Sequence, residues 1–181
     1  MNFKLQINNT KQAAAAITLD EYIPLQIKIK SSIPSSSTIL HIFFRDQKNL
    51  TELKIGTTFG EFYSITVIYS NQWMFYNYYF NDSKYSKWQM SSYFIFKYKP
   101  ETHDQISSLD IANPCTIEVF LDAILIVLPN SNKGQFIFNQ SNNFSVVTDN
   151  ELNVVGFLVK AISSEMLKIL LDSTNLAKSE L

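Results

Sequence analysis

The chain has 181 residues, 46% of them hydrophobic, which is long enough for one well-buried core and excludes wholesale disorder. Its formal net charge is −1, only 17% of its residues are charged and Arg45 is its single arginine, so it lacks the basic face of a sequence-specific nucleic-acid reader. Cys115 is alone, which excludes an intramolecular disulfide. We expect a single domain spanning residues 1–181.

The first third of the chain shows the alternation typical of β-strands. Residues 3–7 alternate, Leu25–Lys30 alternate strictly, and Ile39–Arg45 is apolar enough to form a central strand. Residues 9–19 are rich in alanine, which predicts a helical turn or two. We interpret residues 1–23 as an N-terminal arm.

Residues 59–98 hold both tryptophans and most of the tyrosines. Aromatic and β-branched residues fit a pleated, half-buried surface, so this stretch predicts strands at 62–69, 72–80 and 88–99. Along 73–80 large apolar side chains occupy both faces of the predicted strand, which a sheet with one solvated face does not need. The residues proposed to form a protein interface or to stack on a ligand are Trp73, Phe75, Tyr76, Tyr78, Tyr79 and Trp88.

Three interpretations of these aromatic residues remain open. They could fill the core between two sheets, bind a neighbouring protein subunit, or form a platform on which sugar rings stack. A stacking platform requires exposed rings, whereas a core requires buried ones.

The second half adds further strands. Residues 101–114 are predicted to be a long surface loop, and strands are predicted at 117–128 and 135–138. In all, the pattern indicates about eight strands without an internal repeat. We therefore predict a mostly β fold, an antiparallel β-sandwich that resembles a jelly roll, with a C-terminal helix.

Residues 149–181 are predicted to be a helical segment. Residues 148–151 have the sequence of a capping box, and apolar residues then recur at spacings of three and four. The alternative is a strand over 154–159, which is rich in β-branched residues, followed by a helix from Ser164 with Ser163 or Ser164 as its cap. The residues expected to dock this helix are Val159, Ile162, Met166, Ile169 and Leu170.

Three groups of polar residues are candidates for catalytic or metal sites. A divalent cation could be held by Glu101, His103, Asp104 and Asp110, but no known ligand spacing is present and a solvated loop explains these residues better. His41 and Asp46 could join a serine or Cys115 in nucleophilic catalysis, but no nucleophile motif supports this. Glu118 and Asp122 would lie about 13 Å apart on one strand, too far to act on one bond. We expect no enzyme activity, no metal and no cofactor.

The sequence predicts a structural or assembly subunit that acts through protein–protein contacts. The low charge and the aromatic surface favour a virus or phage particle protein, such as a capsid or tail-associated subunit, whose partners are copies of itself or other virion proteins. The alternative is a carbohydrate- or receptor-binding β-sandwich module that binds a glycan. The N-terminal residues lack the apolar region of a signal peptide and no segment is long enough to span a membrane, so we expect synthesis in the host cytoplasm and a final location in the virion or, otherwise, the cytoplasm.

Overall fold

Two large β-sheets and one helix account for most of the part of the chain that the computed structural model describes. The described residues are 4–7, 14–20, 22–30, 38–57, 62–89, 94–97, 107–131, 133–139, 141 and 143–174. Numbered in chain order, the elements are β1 Lys4–Ile7, β2 Ala14–Thr18, β3 Leu25–Lys30, β4 Ile39–Arg45, β5 Leu50–Gly56, β6 Phe62–Tyr69, β7 Trp73–Phe75, β8 Ser86–Gln89, β9 Phe94–Lys97, β10 Ser108–Ile111, β11 Thr116–Val119, β12 Ala123–Val127, β13 Phe136–Asn139, β14 Phe144–Thr148, β15 Val154–Lys160 and α1 Ser164–Thr174.

The six-stranded sheet has the order β10-β4-β5-β6-β3-β2, and only its β10–β4 pair is parallel. Alternation along β4 shows how it is oriented, because Leu40, Ile42 and Phe44 are buried while His41 and Phe43 lie on the other, half-exposed face. The pattern is the period of two expected for a strand with one face in the core. This sheet therefore has an inner apolar face and an outer polar one.

The seven-stranded sheet has the order β7-β11-β12-β15-β14-β13-β8. Its five central strands are antiparallel and come from residues 116–160, whereas the two edge strands, β7 and β8, are parallel to their neighbours. Unlike the first sheet, it is apolar on both faces: β14 is buried along its whole length and β15 at every position except its last residue. Its outer face therefore has to be shielded from water by another part of the chain or by a partner.

The two sheets pack face to face to form a β-sandwich. The ring of Phe62 on β6 lies 5.4 Å from that of Phe144 and 5.3 Å from that of Phe157, both on the other sheet. Aromatic rings at this separation attract each other beyond the area they bury. The largest fully buried side chains are Phe44, Phe144, Phe157, Leu25, Ile27, Ile42, Leu53, Ile55, Ile65 and Ile117.

Two smaller elements pack around this core. The β1–β9 pair is antiparallel, and β1 also touches the turn before β15, where the N–H of Leu5 donates a 2.9 Å hydrogen bond to Leu152 O. Helix α1 begins after Ser163, whose Oγ accepts from the N–H of Met166, and it buries Leu167 and Leu170 in the main core. Burial of an apolar stripe is what stabilises so short a helix. No described helix is long and apolar enough to cross a membrane.

The predicted sandwich is confirmed, and the strands predicted at 3–7, Leu25–Lys30 and Ile39–Arg45 are present. The predicted number of strands, about eight, was too low: the described residues alone form fifteen, because long apolar stretches are divided by turns. The predicted strand at 117–128 is a hairpin of β11 and β12. The predicted strand at 88–99 covers the end of β8 and all of β9, which belong to different sheets.

The helical turn predicted near the N-terminus needs correction. The helical turn predicted from the alanines of residues 9–19 was wrong, because Ala14–Thr18 pairs as β2 with β3 at the edge of the six-stranded sheet. Pairing with a neighbouring strand outweighs a weak helical preference. The described residues of the predicted arm, 1–23, include β1 and β2, so both strands of this stretch belong to the sheets of the fold.

The helical segment predicted for 149–181 was wrong over its first part, where the alternative strand is the observed one, β15. The capping-box sequence instead forms a turn: the side chain of Asp149 accepts 2.9 Å hydrogen bonds from the N–H groups of Glu151 and Asn153. The chain then returns antiparallel to β14. Helix α1, with Ser163 as its cap, is the part of the prediction that the structure confirms.

Candidate functional site

The connection from β7 to β8 covers the outer face of the seven-stranded sheet. These strands lie at opposite edges, separated by six strand spacings or about 29 Å. The residues between Phe75 and Ser86 can reach about 36 Å when fully extended, so the connection has little slack. We call residues 76–85 the crossing segment.

Aromatic side chains of the crossing segment pack on an apolar cluster that is separate from the main core. Tyr76 stacks on Phe120 with ring centroids 5.0 Å apart, and Phe80 meets the same ring edge-on at 5.1 Å. Phe80 also stacks on Tyr85 at 5.7 Å. The buried residues beneath them are Phe120, Ala123, Leu125, Ile137, Val147, Val155 and Leu158. The crossing segment is therefore the cover that the outer face needs.

Polar contacts of Phe80 and Asp82 hold the crossing segment on the sheet. The N–H of Phe80 donates a 2.8 Å hydrogen bond to Asp122 Oδ1. Asp82 pairs with Lys87 at 2.8 Å and with Lys160 at 3.3 Å. The hydrogen bond from Lys87 is the main cause that holds the pKa of Asp82 below its ordinary value, against a smaller opposing effect of burial. These contacts order a segment that would otherwise be a loop.

Some large side chains at the β7 edge are not buried. Met74 is 40% exposed, Tyr78 is 53% exposed and Tyr79 is 70% exposed. Tyr76 links Met74 and Tyr78, because its OH lies 3.9 Å from Met74 Sδ and its ring centroid lies 5.3 Å from that of Tyr78, and Tyr79 follows Tyr78 in the chain. We call Met74, Tyr78 and Tyr79 the β7-edge patch.

The structure separates the six aromatic residues that the sequence grouped together. Trp73 is buried in the main core and Phe75 packs against that core, whereas Tyr76 belongs to the outer cluster. Tyr78 and Tyr79 lie in the exposed patch described above. Trp88 lies on β8 opposite Phe138, and its side chain is outside the described part of the structure.

A cleft of about 230 Å³ lies on the same outer face, beside the crossing segment. Gly156 on β15 lies in this cleft without a side chain, and Tyr85 of the crossing segment lines it as well. Glu118, on β11 in register with Met74, supplies a carboxylate. The remaining lining residues are Leu125, Val127, Ser131, Lys133, Gly134, Val147 and Val155.

Glu118 gives the cleft a negative charge. Burial raises the pKa of the Glu118 carboxyl above its ordinary value, and no described residue forms a hydrogen bond or an ion pair with it. Burial, and then the Glu118 charge, also raises the pKa of Tyr85 and of Tyr76. Both hydroxyls therefore stay neutral at physiological pH. A carboxylate in an apolar cleft is a recognised type of binding site.

The predicted helix-docking residues divide between two elements. Val159 is a buried residue of β15, and Ile162 is buried in the link before α1. On the helix Leu170 is fully buried, Met166 is partly buried and Ile169 is 40% exposed. Most of the stripe therefore packs on the chain's own core, and Ile169 is the member that stays largely at the surface.

The histidine and cysteine considered for catalysis lie apart. His41 Nδ1 lies 2.7 Å from Glu52 Oε1 on the outer face of the six-stranded sheet, while Asp46 binds the N–H of Lys48 in a turn. Cys115 is buried, and burial raises the pKa of its thiol to about 12. A thiol of this kind is a poor nucleophile.

The carboxylates do not form a site either. Asp122 binds the crossing segment and Glu118 faces the cleft, so the two do not converge on one ligand. Asp110 pairs with Arg45 at 2.7 Å, and the other members of its predicted group, Glu101, His103 and Asp104, lie outside the described residues. Among the described residues no cluster of histidine, cysteine or carboxylates could hold a metal ion.

Sequence reasoning did not find the cleft. Glu118 was considered only as a partner of Asp122, and Gly156 only as an interruption of an apolar run. The available signal was a carboxylate and a glycine inside otherwise apolar strands, because a glycine in a strand often marks a close approach of a ligand or backbone. Comparison with known proteins adds no function, since the chain matches no protein-family model and no similar sequence is found among curated proteins.

Proposed function

We propose that this protein is a structural subunit of a larger assembly and acts through protein–protein contacts made by the β7-edge patch. The observation that carries the proposal is the exposure of Met74, Tyr78 and Tyr79 together at one sheet edge. Tyrosine and methionine are enriched in protein interfaces, where charged residues are depleted. No member of the patch carries a charge.

The backbone of β7 supports the same proposal. The carbonyl of Gln72 and the N–H of Tyr76 form hydrogen bonds with β11. Because backbone groups of successive residues in a strand point to opposite sides, those of Trp73 and Phe75 point away from the sheet. No described strand pairs with this outer side of β7. An open edge is a template for pairing with another chain.

The partners that fit this surface are protein subunits, either further copies of this chain or other proteins of the same particle. A virus or phage particle is the setting we propose, because the low charge permits close packing of many copies. If the protein is a subunit of such a particle, it is made in the host cytoplasm and its final location is the virion.

The test is the native mass of the purified chain across a concentration series. We expect the wild-type protein to form oligomers, and the double variant Tyr78→Ser/Tyr79→Ser and the variant Met74→Lys to stay monomeric, since an exposed lysine blocks edge pairing. Tyr22→Ser is the matched control, because Tyr22 is 82% exposed but precedes β3 of the other sheet. Circular dichroism would show that all variants fold.

A wild-type protein that stays monomeric at every concentration would contradict self-assembly, and patch variants that assemble normally would exclude this surface. For the glycan-binding alternative, Trp73 is buried and unavailable for stacking, and the side chain of Trp88 lies outside the described part of the structure. It now depends on Tyr78 and Tyr79, so a glycan screen with the same double variant would distinguish it from assembly.

A further inference from the structure

The cleft beside the crossing segment has the size of a site for a small ligand or a single side chain. Its volume of about 230 Å³ lies below the range of pockets for drug-sized ligands, about 300–1,000 Å³. Gly156 of β15 is one of its lining residues. A Cβ there would lie 2.6 Å from Ile126 O, so the chain has no room for a larger residue.

The carboxylate of Glu118 is not paired with any described residue, and Lys133, the one cationic residue of the lining, forms no ion pair with it. The Glu118 carboxyl is nevertheless partly removed from water. Removing a carboxylate from water without a partner is costly. A ligand that supplies a positive charge would remove that cost.

The other lining residues determine which uncharged part of a ligand would fit the cleft. Leu125, Val127, Val147 and Val155 provide an apolar floor, and Tyr85 provides an aromatic wall. Apolar carbon next to the charge would bury against this floor, and a cation beside an aromatic ring gains further attraction. The complementary ligand is therefore positively charged at one end and apolar along its length.

We propose that this cleft binds an alkylammonium group, with Glu118 as the anionic partner and the four aliphatic residues as the contact for the alkyl chain. The group could belong to a free small amine or to a lysine side chain of another protein. Both have the same chemistry. The site is distinct from the β7-edge patch, so its failure would leave the assembly proposal untouched.

One residue of the cleft opposes such a ligand. Lys133 lines the cleft, is exposed, and makes no ion pair with a described residue. Its ammonium repels a bound cation and competes for Glu118. Replacing Lys133 with glutamine should therefore strengthen binding by up to about fivefold, the scale of an exposed charge interaction.

The test is titration of the full chain with n-butylammonium chloride, followed by NMR of the backbone amides at constant ionic strength. We expect saturable shifts around Gly134 and Gly156 with a dissociation constant in the millimolar range. n-Butanol and butyrate are matched controls without the positive charge, and each should bind at least about tenfold more weakly. A capped lysine peptide tests whether a lysine side chain of another protein can bind. It binds only if the cleft admits the side chain while the peptide backbone stays outside.

Glu118→Gln keeps the shape of the side chain and removes its charge, and it should weaken n-butylammonium binding by about tenfold or more. Lowering the pH toward 4 should weaken binding to the wild type, because protons compete for Glu118, and should leave the glutamine variant unaffected. The nearby titratable groups are Tyr76 and Tyr85, which stay neutral there, and Lys133, which its own variant tests. The pH series also keeps the proposal testable if the variant does not fold.

The proposal is overturned if n-butylammonium causes no saturable shift up to about 100 mM, well above a millimolar dissociation constant. It is also overturned if butanol binds equally well, or if Glu118→Gln binds the amine as tightly as the wild type does.

Discussion

The backbone N–H of Phe80 donates a 2.8 Å hydrogen bond to Oδ1 of Asp122, in the turn between β11 and β12. This bond joins the middle of the crossing segment to the sheet beneath it. Phe80 therefore cannot leave the ring of Phe120 without losing a charge-assisted hydrogen bond as well.

Asp122→Ala should lower the free energy of unfolding by about 1–3 kcal/mol, because it leaves the N–H of Phe80 without its acceptor. Asp122→Asn is the matched control, since its amide oxygen can still accept this bond, and it should cost less than the alanine variant. Urea unfolding followed by circular dichroism measures both. Equal losses for the two variants would contradict this role of the carboxylate oxygen.

Gly156→Ala should destabilise the protein by about 1–3 kcal/mol or more, because its Cβ would lie 2.6 Å from the carbonyl oxygen of Ile126, which is held in the sheet. Gly134→Ala is the comparison. Its Cβ would lie 2.6 Å from Val147 Cγ1, a side-chain atom that can shift more readily than a backbone oxygen held in the sheet, so a smaller loss is expected. Chemical unfolding of the two variants would measure the difference, and a smaller loss at Gly156 would contradict the account.

Glu118 should make the fold less stable as the pH rises. Because burial raises its pKa in the folded state, the folded chain holds this proton more tightly than the unfolded chain. Its contribution to stability is fully present below the ordinary pKa of 4.5 and is lost as the pH rises through the raised value. Unfolding measured from pH 4 to 7 should show this loss in the wild type relative to Glu118→Gln. A difference between the two that does not change with pH would contradict it.

Cys115 should resist thiol reagents in the folded protein. Burial raises its pKa from the ordinary value of 9.0 to about 12, so very little of the reactive thiolate is present at pH 8. Labelling should be slow in buffer and rapid in denaturant. Fast labelling of the native protein would show that the region around Cys115 opens readily.

Local patterns predicted the sandwich because the core-facing strands of the first sheet alternate strictly. Leu25–Lys30 carries apolar residues at every second position, and this period identifies a half-buried strand without further information. Ile39–Arg45 was predicted from its apolar composition, and its burial alternates in the structure. The same rule failed for 149–161, where spacings of three and four also fit a helix. There the pairing of β15 with two neighbouring strands decided the structure.

The candidate site was harder to predict because it depends on distant pairings. Residues 72–80 have the composition of a strand throughout, yet only Trp73–Phe75 forms one. The chain has to leave the sheet after Phe75 because β8 lies at the opposite edge, and this is a property of the topology that local sequence does not contain. The cleft likewise combines residues from four distant stretches of the chain, including Tyr85, Glu118 and Gly156.

The arrangement of the seven-stranded sheet has a consequence for the order of folding. Its five central strands come from residues 116–160 and are joined by turns and one longer loop, whereas both edge strands come from residues 73–89. Contacts between residues close in sequence form faster than distant ones, because less loop entropy is lost. We expect amides of β12, β14 and β15 to gain protection first in pulsed hydrogen exchange, and those of β7 and β8 later. Until the crossing segment arrives, the folding chain displays the apolar outer face to water, and that interval is when misassociation with other copies is most favoured.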